Sequence, residues 1–125
     1  MRQTAEASLR LAHAHLERVQ TAWDDPTDWA NLSTYGLYCL EACVVAAALH
    51  FDQPRPGSHV VKAETAQSLS QEYGLPEIGE LLIDLNNMRK HQAYGDTRAP
   101  EGMDPQDTAD SIEAYVAAVQ ALLAR

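Results

Sequence analysis

The chain is short of positive charge. Nine Lys and Arg stand against eighteen Asp and Glu, a net charge of -9. This balance excludes a general affinity for nucleic acid, because a run of phosphates needs a broad cationic footprint. It leaves room for a local basic cleft. Aromatic residues make up only 6% of the chain, and β-branched residues are also few, so the side chains that favour sheets are scarce. Cysteine is limited to Cys39 and Cys43. Four residues apart on one helix, they point in directions that do not suit a disulfide, and they read as buried thiols of a reducing compartment. No second C-x-x-C and no histidine cluster completes a zinc site; neither a metal nor another cofactor is expected. The opening M-R-Q-T-A-E-A-S-L-R has no apolar signal core. The apolar stretch 35–51 is interrupted by Glu41 and is short for a membrane span. These absences together predict a cytoplasmic protein with no membrane segment.

What the chain does have is alanine and leucine at helical spacing. Its 125 residues fit one domain, 1–125, large enough to bury roughly two-thirds of its unfolded surface. In residues 4–23, Leu9, Ala12, Leu16, Val19 and Trp23 form one stripe, and Asp24-Asp25-Pro26 ends the helix. A second helix starts near Thr27 or Asp28 and runs to about Phe51. Over 35–51 it is apolar on nearly every side, which predicts a central helix packed all round, with Gly36 and the alanines allowing close approach. Gln53-Pro54-Arg55-Pro56-Gly57 forces a loop. Ser58 can cap a third helix to about Tyr73, with Ala63, Ala66 and Leu69 inward. After Gly74-Leu75, Pro76 suits the first turn of a fourth helix, with Glu77 and Glu80 at its positive end. That helix carries Ile78, Leu81, Leu82, Leu85 and Met88 and stops at Gly95. Residues 97–103 form a loop, and Asp104-Pro105-Gln106-Asp107 starts a last helix bearing Ile112, Tyr115, Val116, Val119, Leu122 and Leu123. The predicted architecture is an all-α, up-and-down bundle of four or five helices.

Chemistry concentrates at the end of the fourth helix, in L-N-N-M-R-K-H-Q-A-Y-G-D. Arg89 lies four residues after Leu85, on or beside the buried stripe, where a guanidinium needs a carboxylate or an anion. Asn86 precedes it by three on the same side. Asn87, Lys90, His91 and Tyr94 share another side. Glu41, the only formal charge in the 35–51 run, is the expected partner of Arg89, either as a structural pair or as part of a site. A solvated Glu41 and a simple polar helix end are the structural alternatives. His13 and Glu17 form only a weak metal pair. His50 and His59 border the proline loop and read as loop polar groups, and Trp23 and Trp29 as packing anchors.

This pattern resembles the HEPN family of small helical domains, over roughly residues 32–123. The family motif is R-x4-6-H near the end of an inner helix, followed by a loop and a last amphipathic helix. Leu85, Met88 and Arg89 match that frame, and Tyr94-Gly95-Asp96 occupies its far end. T-Y-G-L-Y-C-L-E-A-C-V-V-A-A-A-L resembles the family's long second helix. The resemblance implies a homodimer in which the motif residues meet at the interface to form a metal-independent RNA-cleaving site. Arg89 would bind the scissile phosphate. The histidine is not matched: Tyr94 stands five residues after Arg89. His91 stands only two after, a rotation of about 200°. Tyr94, His91 or Lys90 would fill the missing role, with Asn86, Lys90 and Glu41 as binding residues. The biology implied is a bacterial toxin–antitoxin or defence module acting on RNA. Its rivals are a non-catalytic relative that binds a nucleotide, RNA or a nucleotidyltransferase partner, and an unrelated helical adaptor.

Overall fold

A computed structural model describes residues 2–23, 26–95 and 102–125 as five α-helices, with no strand among them. Asp24-Asp25 of the first expected turn, Asp96 and residues 97–101 of the expected loop lie outside the described residues.

The core is organised by one helix. The first helix, α1 (Arg2–Ala22), buries Ala5, Ala12, Leu16 and Val19 along one stripe. The second, α2 (Trp29–His50), begins where the Asp28 side chain accepts from the Asn31 N–H at 3.0 Å. Every residue from Cys39 to Leu49 is buried, as the run of small and apolar residues predicts. By length and composition α2 could cross a membrane, but 83% of its most apolar window is buried inside the bundle. The Cys39 thiol donates to the Ala12 carbonyl at 3.2 Å and ties α2 to α1. At Gly36 a Cβ would stand 2.8 Å from Ile112 Cδ1 and 3.5 Å from Leu85 Cδ1. The missing side chain therefore sets how closely two neighbours approach α2. Those neighbours are α4 (Gly79–Ala93) and α5 (Pro105–Leu123). Leu32, Leu40, Leu85 and Ile112 are fully buried, and each contributes about 1.5–3 kcal/mol by leaving water.

The remaining helix, α3 (His59–Tyr73), is held lightly. Ser58 caps it by accepting from the Val61 N–H at 3.1 Å, and Gly74 closes it at φ 75°. Only Ala66 and Leu69 are buried on it; Ala63 is partly buried. Its first residue meets Glu41 in the middle of α2, and its last, Tyr73, stacks on Phe51 at the end of α2 with ring centroids 3.6 Å apart. Thus α3 runs in broadly the same sense as α2, a departure from a strict up-and-down order. The connection between them, with Pro54 and Pro56, carries the chain back along α2.

Two starts differ in outcome. Asp104 accepts from the Asp107 N–H at 3.0 Å and Pro105 takes the first position of α5, as expected. The fourth helix begins at Gly79, not at Pro76. Leu75 and Ile78 both dock into the core ahead of it, on a segment that is not helical. The Glu77 side chain then accepts from the Gly79 N–H at 2.6 Å, satisfying one of the donors a helix start leaves open.

Candidate functional site

The placement of α3 opens a groove of about 770 Å³ between α2, α3 and α4. On α4, Gly79, Leu82, Ile83, Asn86 and Asn87 follow one helical face and form a wall. His59, Val60, Ala63 and Glu64 of α3 form the opposite wall, and Leu37 and Glu41, one turn apart on α2, lie beneath. Of the expected site residues, the groove brings together Glu41 and Asn86.

Glu41 does not pair with Arg89 as expected. It accepts a hydrogen bond from the His59 Nδ1–H, and Lys62 Nζ lies 3.9 Å from its other oxygen. Glu41 is 6% exposed, and a carboxylate that far from water needs such partners. The reason is geometric: α3, arriving beside the middle of α2, reaches Glu41 first. His59 is accordingly the first residue of α3 and part of a polar cluster, not a loop group. One signal for this lay in the sequence, since His59 and Lys62 are three apart and share a face of a helix that Ser58 begins. The eighteen-residue separation from Glu41 left no local trace.

Arg89 is half-buried near the end of α4. Its Nη2 donates to Asn86 Oδ1 at 2.8 Å, three residues before it on the same side of the helix. Its Nε–H is buried with no hydrogen-bond partner. Because Asn86 also lines the groove, the guanidinium is anchored at the groove's edge. Lys90 is exposed, one turn beyond Asn86 on the groove side, and its charge complements the negative end of the α4 dipole. His91 is exposed in the same turn. Tyr94 is the C-cap residue and is 90% exposed. Neither Lys90, His91 nor Tyr94 lines the groove. Within one chain, therefore, the expected residues divide into a groove pair and a solvent-facing helix end, joined by the Arg89–Asn86 contact.

Two buried groups elsewhere, Cys43 and Tyr115, are shifted toward their neutral forms. Cys43 has its thiol pushed well up, first by its hydrogen bond with Cys39 and then by burial. The Tyr115 hydroxyl, buried without a partner, is also pushed up, chiefly by desolvation and further by Cys43 and Glu77. On the opposite side of α2, His15 lies against Tyr35 and Tyr38, with Arg18 over the Tyr35 ring at 5.3 Å. Burial and then the Arg18 charge lower the His15 value. Among the described residues no three His, Cys, Asp or Glu side chains converge on a metal position.

No family model, no curated protein and no solved structure matches the chain.

Proposed function

We propose that this is a HEPN-like helical domain that engages RNA or nucleotide phosphate through Arg89, within a bacterial toxin–antitoxin or defence pair in the cytoplasm. Arg89 carries the reading. A buried N–H without a partner costs about 1–3 kcal/mol, and the Arg89 Nε–H has none, while Asn86 fixes the other side of the fork. Asn86 orients the guanidinium, whose remaining Nη donors suit a planar or tetrahedral oxyanion.

In this reading two chains associate about a two-fold axis with their α4 ends together. Arg89, Lys90 and Tyr94 from both then line one cationic cleft on an otherwise acidic protein. Arg89 grips the phosphate. The exposed Tyr94 hydroxyl donates a hydrogen bond to it, and Lys90 adds charge. Cleavage, where it occurs, needs no metal, because these groups bind phosphate directly.

A second reading is favoured by Tyr94 itself. A phenol is a poor general base near neutral pH, so a site with Tyr94 in the histidine position binds better than it cuts. The protein is then a non-catalytic module for a nucleotide, RNA or a nucleotidyltransferase antitoxin.

Labelled single-stranded RNA with the full chain in chelator separates the readings. Cleavage lost in Arg89→Ala supports the ribonuclease. Binding without cleavage, weakened at least tenfold by Arg89→Ala, supports the module. No cleavage and no Arg89-dependent binding of RNA or nucleotide overturns both.

A further inference from the structure

The groove between α3 and α4 has a character opposite to the Arg89 end. Its lining contains four glutamates and neither Lys nor Arg. The charge of Glu41 is answered by His59 and Lys62. Glu64, Glu77 and Glu80 are exposed around the rim. Between them runs an apolar strip. Leu37, Ala63 and Leu82 lie deep, while Val60 on α3 and Ile83 on α4 stand on opposite walls, 68% and 55% exposed.

We propose that this groove docks a basic amphipathic helix supplied by another protein. An acidic rim around an apolar strip is the complement of a helix with apolar anchors at i, i+3/i+4 and i+7, flanked by Lys or Arg. Acid stands on both walls, Glu64 on α3 and Glu80 on α4, which calls for cations on both flanks of the stripe. An amphipathic helix laid along the mouth of the groove would set its apolar stripe against Val60 and Ile83. RNA is repelled by the rim carboxylates, and a second copy seated two-fold on this groove brings the same glutamates against them. The lightly held α3, with two buried side chains, lets the groove width adjust to its occupant. This inference stands apart from the Arg89 reading and survives its failure.

The test uses the full chain and an 18-residue fluorescein-labelled peptide with Leu at every a and d position and Lys elsewhere. Two controls are a scrambled peptide of the same composition and one with Glu in place of Lys. The expected result is saturable one-to-one binding of the amphipathic Lys peptide, at least tenfold tighter than the scramble, with no binding of the Glu peptide. Ile83→Lys and the double variant Glu64→Lys/Glu80→Lys each weaken it at least tenfold. All three positions are exposed, and circular dichroism checks that the helices remain. Asp110→Lys/Glu113→Lys, on the exposed face of α5, changes the net charge equally and leaves binding within twofold. Equal binding of the scramble, or equal loss in the α5 variant, reduces the effect to long-range attraction and overturns the proposal. So does a dimer in sedimentation that Ile83→Lys converts to monomer, because the occupant is then a second copy.

Discussion

Glu41, buried in the middle of α2, accepts a hydrogen bond from His59, the first residue of α3. The two members are not equally solvated. The His59 side chain is 43% exposed, and that of Lys62, the second partner, 19%. The carboxylate is therefore the group that depends on the cluster, while its partners retain access to water.

That asymmetry gives an ordering of variants. His59→Ala leaves a buried carboxylate with only a long contact to Lys62 and should cost about 1.5–3 kcal/mol, the range for a hydrogen bond to a charged group. Glu41→Gln leaves groups that water can satisfy and should cost less. Urea denaturation of both variants checks the order. A larger loss for Glu41→Gln would show that the carboxylate is better solvated than its burial implies.

Tyr115→Phe should stabilise. The hydroxyl is buried with no partner, so removing it relieves a desolvation cost of about 1 kcal/mol without leaving a cavity. The urea midpoint should rise with an unchanged slope. The pH dependence has a definite sign. The folded value lies well above the ordinary 10.0, so above about pH 10 the unfolded state loses a proton that the folded state keeps, and stability falls as pH rises. Tyr115→Phe should show a shallower alkaline loss. Parallel alkaline profiles would refute this account.

Much of the bundle was legible because its cues are local. Ser58 and Asp104 each cap the helix expected from them, Asp28, one of two expected starts, caps α2, and the apolar run around Cys39–Leu49 announced a central helix. Pro76 suits a first turn, yet α4 starts three residues later, where the Glu77 side chain accepts from the Gly79 N–H. The groove was invisible because it depends on the direction of α3. That direction is fixed by Glu41–His59 and Phe51–Tyr73, two contacts across long stretches of chain. The Arg89–Asn86 contact, three residues apart on one helix, could be read directly.

Acidification should weaken the fold through His15. Its folded value lies below the ordinary 6.5, because burial and then Arg18 disfavour the imidazolium. The unfolded chain therefore binds the proton first as pH falls, so this contribution is complete above about pH 6.5 and is lost below it. Thermal midpoints of wild type and His15→Gln at pH 7.5, 6.5 and 5.5 should converge on acidification, with the shallower slope in the variant. Identical slopes would place the acid sensitivity elsewhere.

The last prediction sets stability against function at one residue. If Arg89 is kept for a phosphate ligand, its unpartnered Nε–H is a cost the free protein carries for binding. Arg89→Met keeps an unbranched aliphatic side chain and removes that donor. It should match or exceed wild type in stability by about 1 kcal/mol, while abolishing RNA or nucleotide binding. Arg89→Lys keeps the charge without the planar fork, so it should retain salt-sensitive weak binding and lose the tight component. Denaturation and fluorescence anisotropy on the same three proteins decide the matter. A structural arginine gives the reverse pattern: Arg89→Met destabilises by 2 kcal/mol or more on the scale of a broken buried network, and any loss of binding follows the loss of fold. Asn86→Ala sharpens the comparison. It releases the guanidinium without removing it, so binding should weaken several-fold with little change in stability. A fully retained affinity in that variant would mean that Asn86 does not orient Arg89 for its ligand.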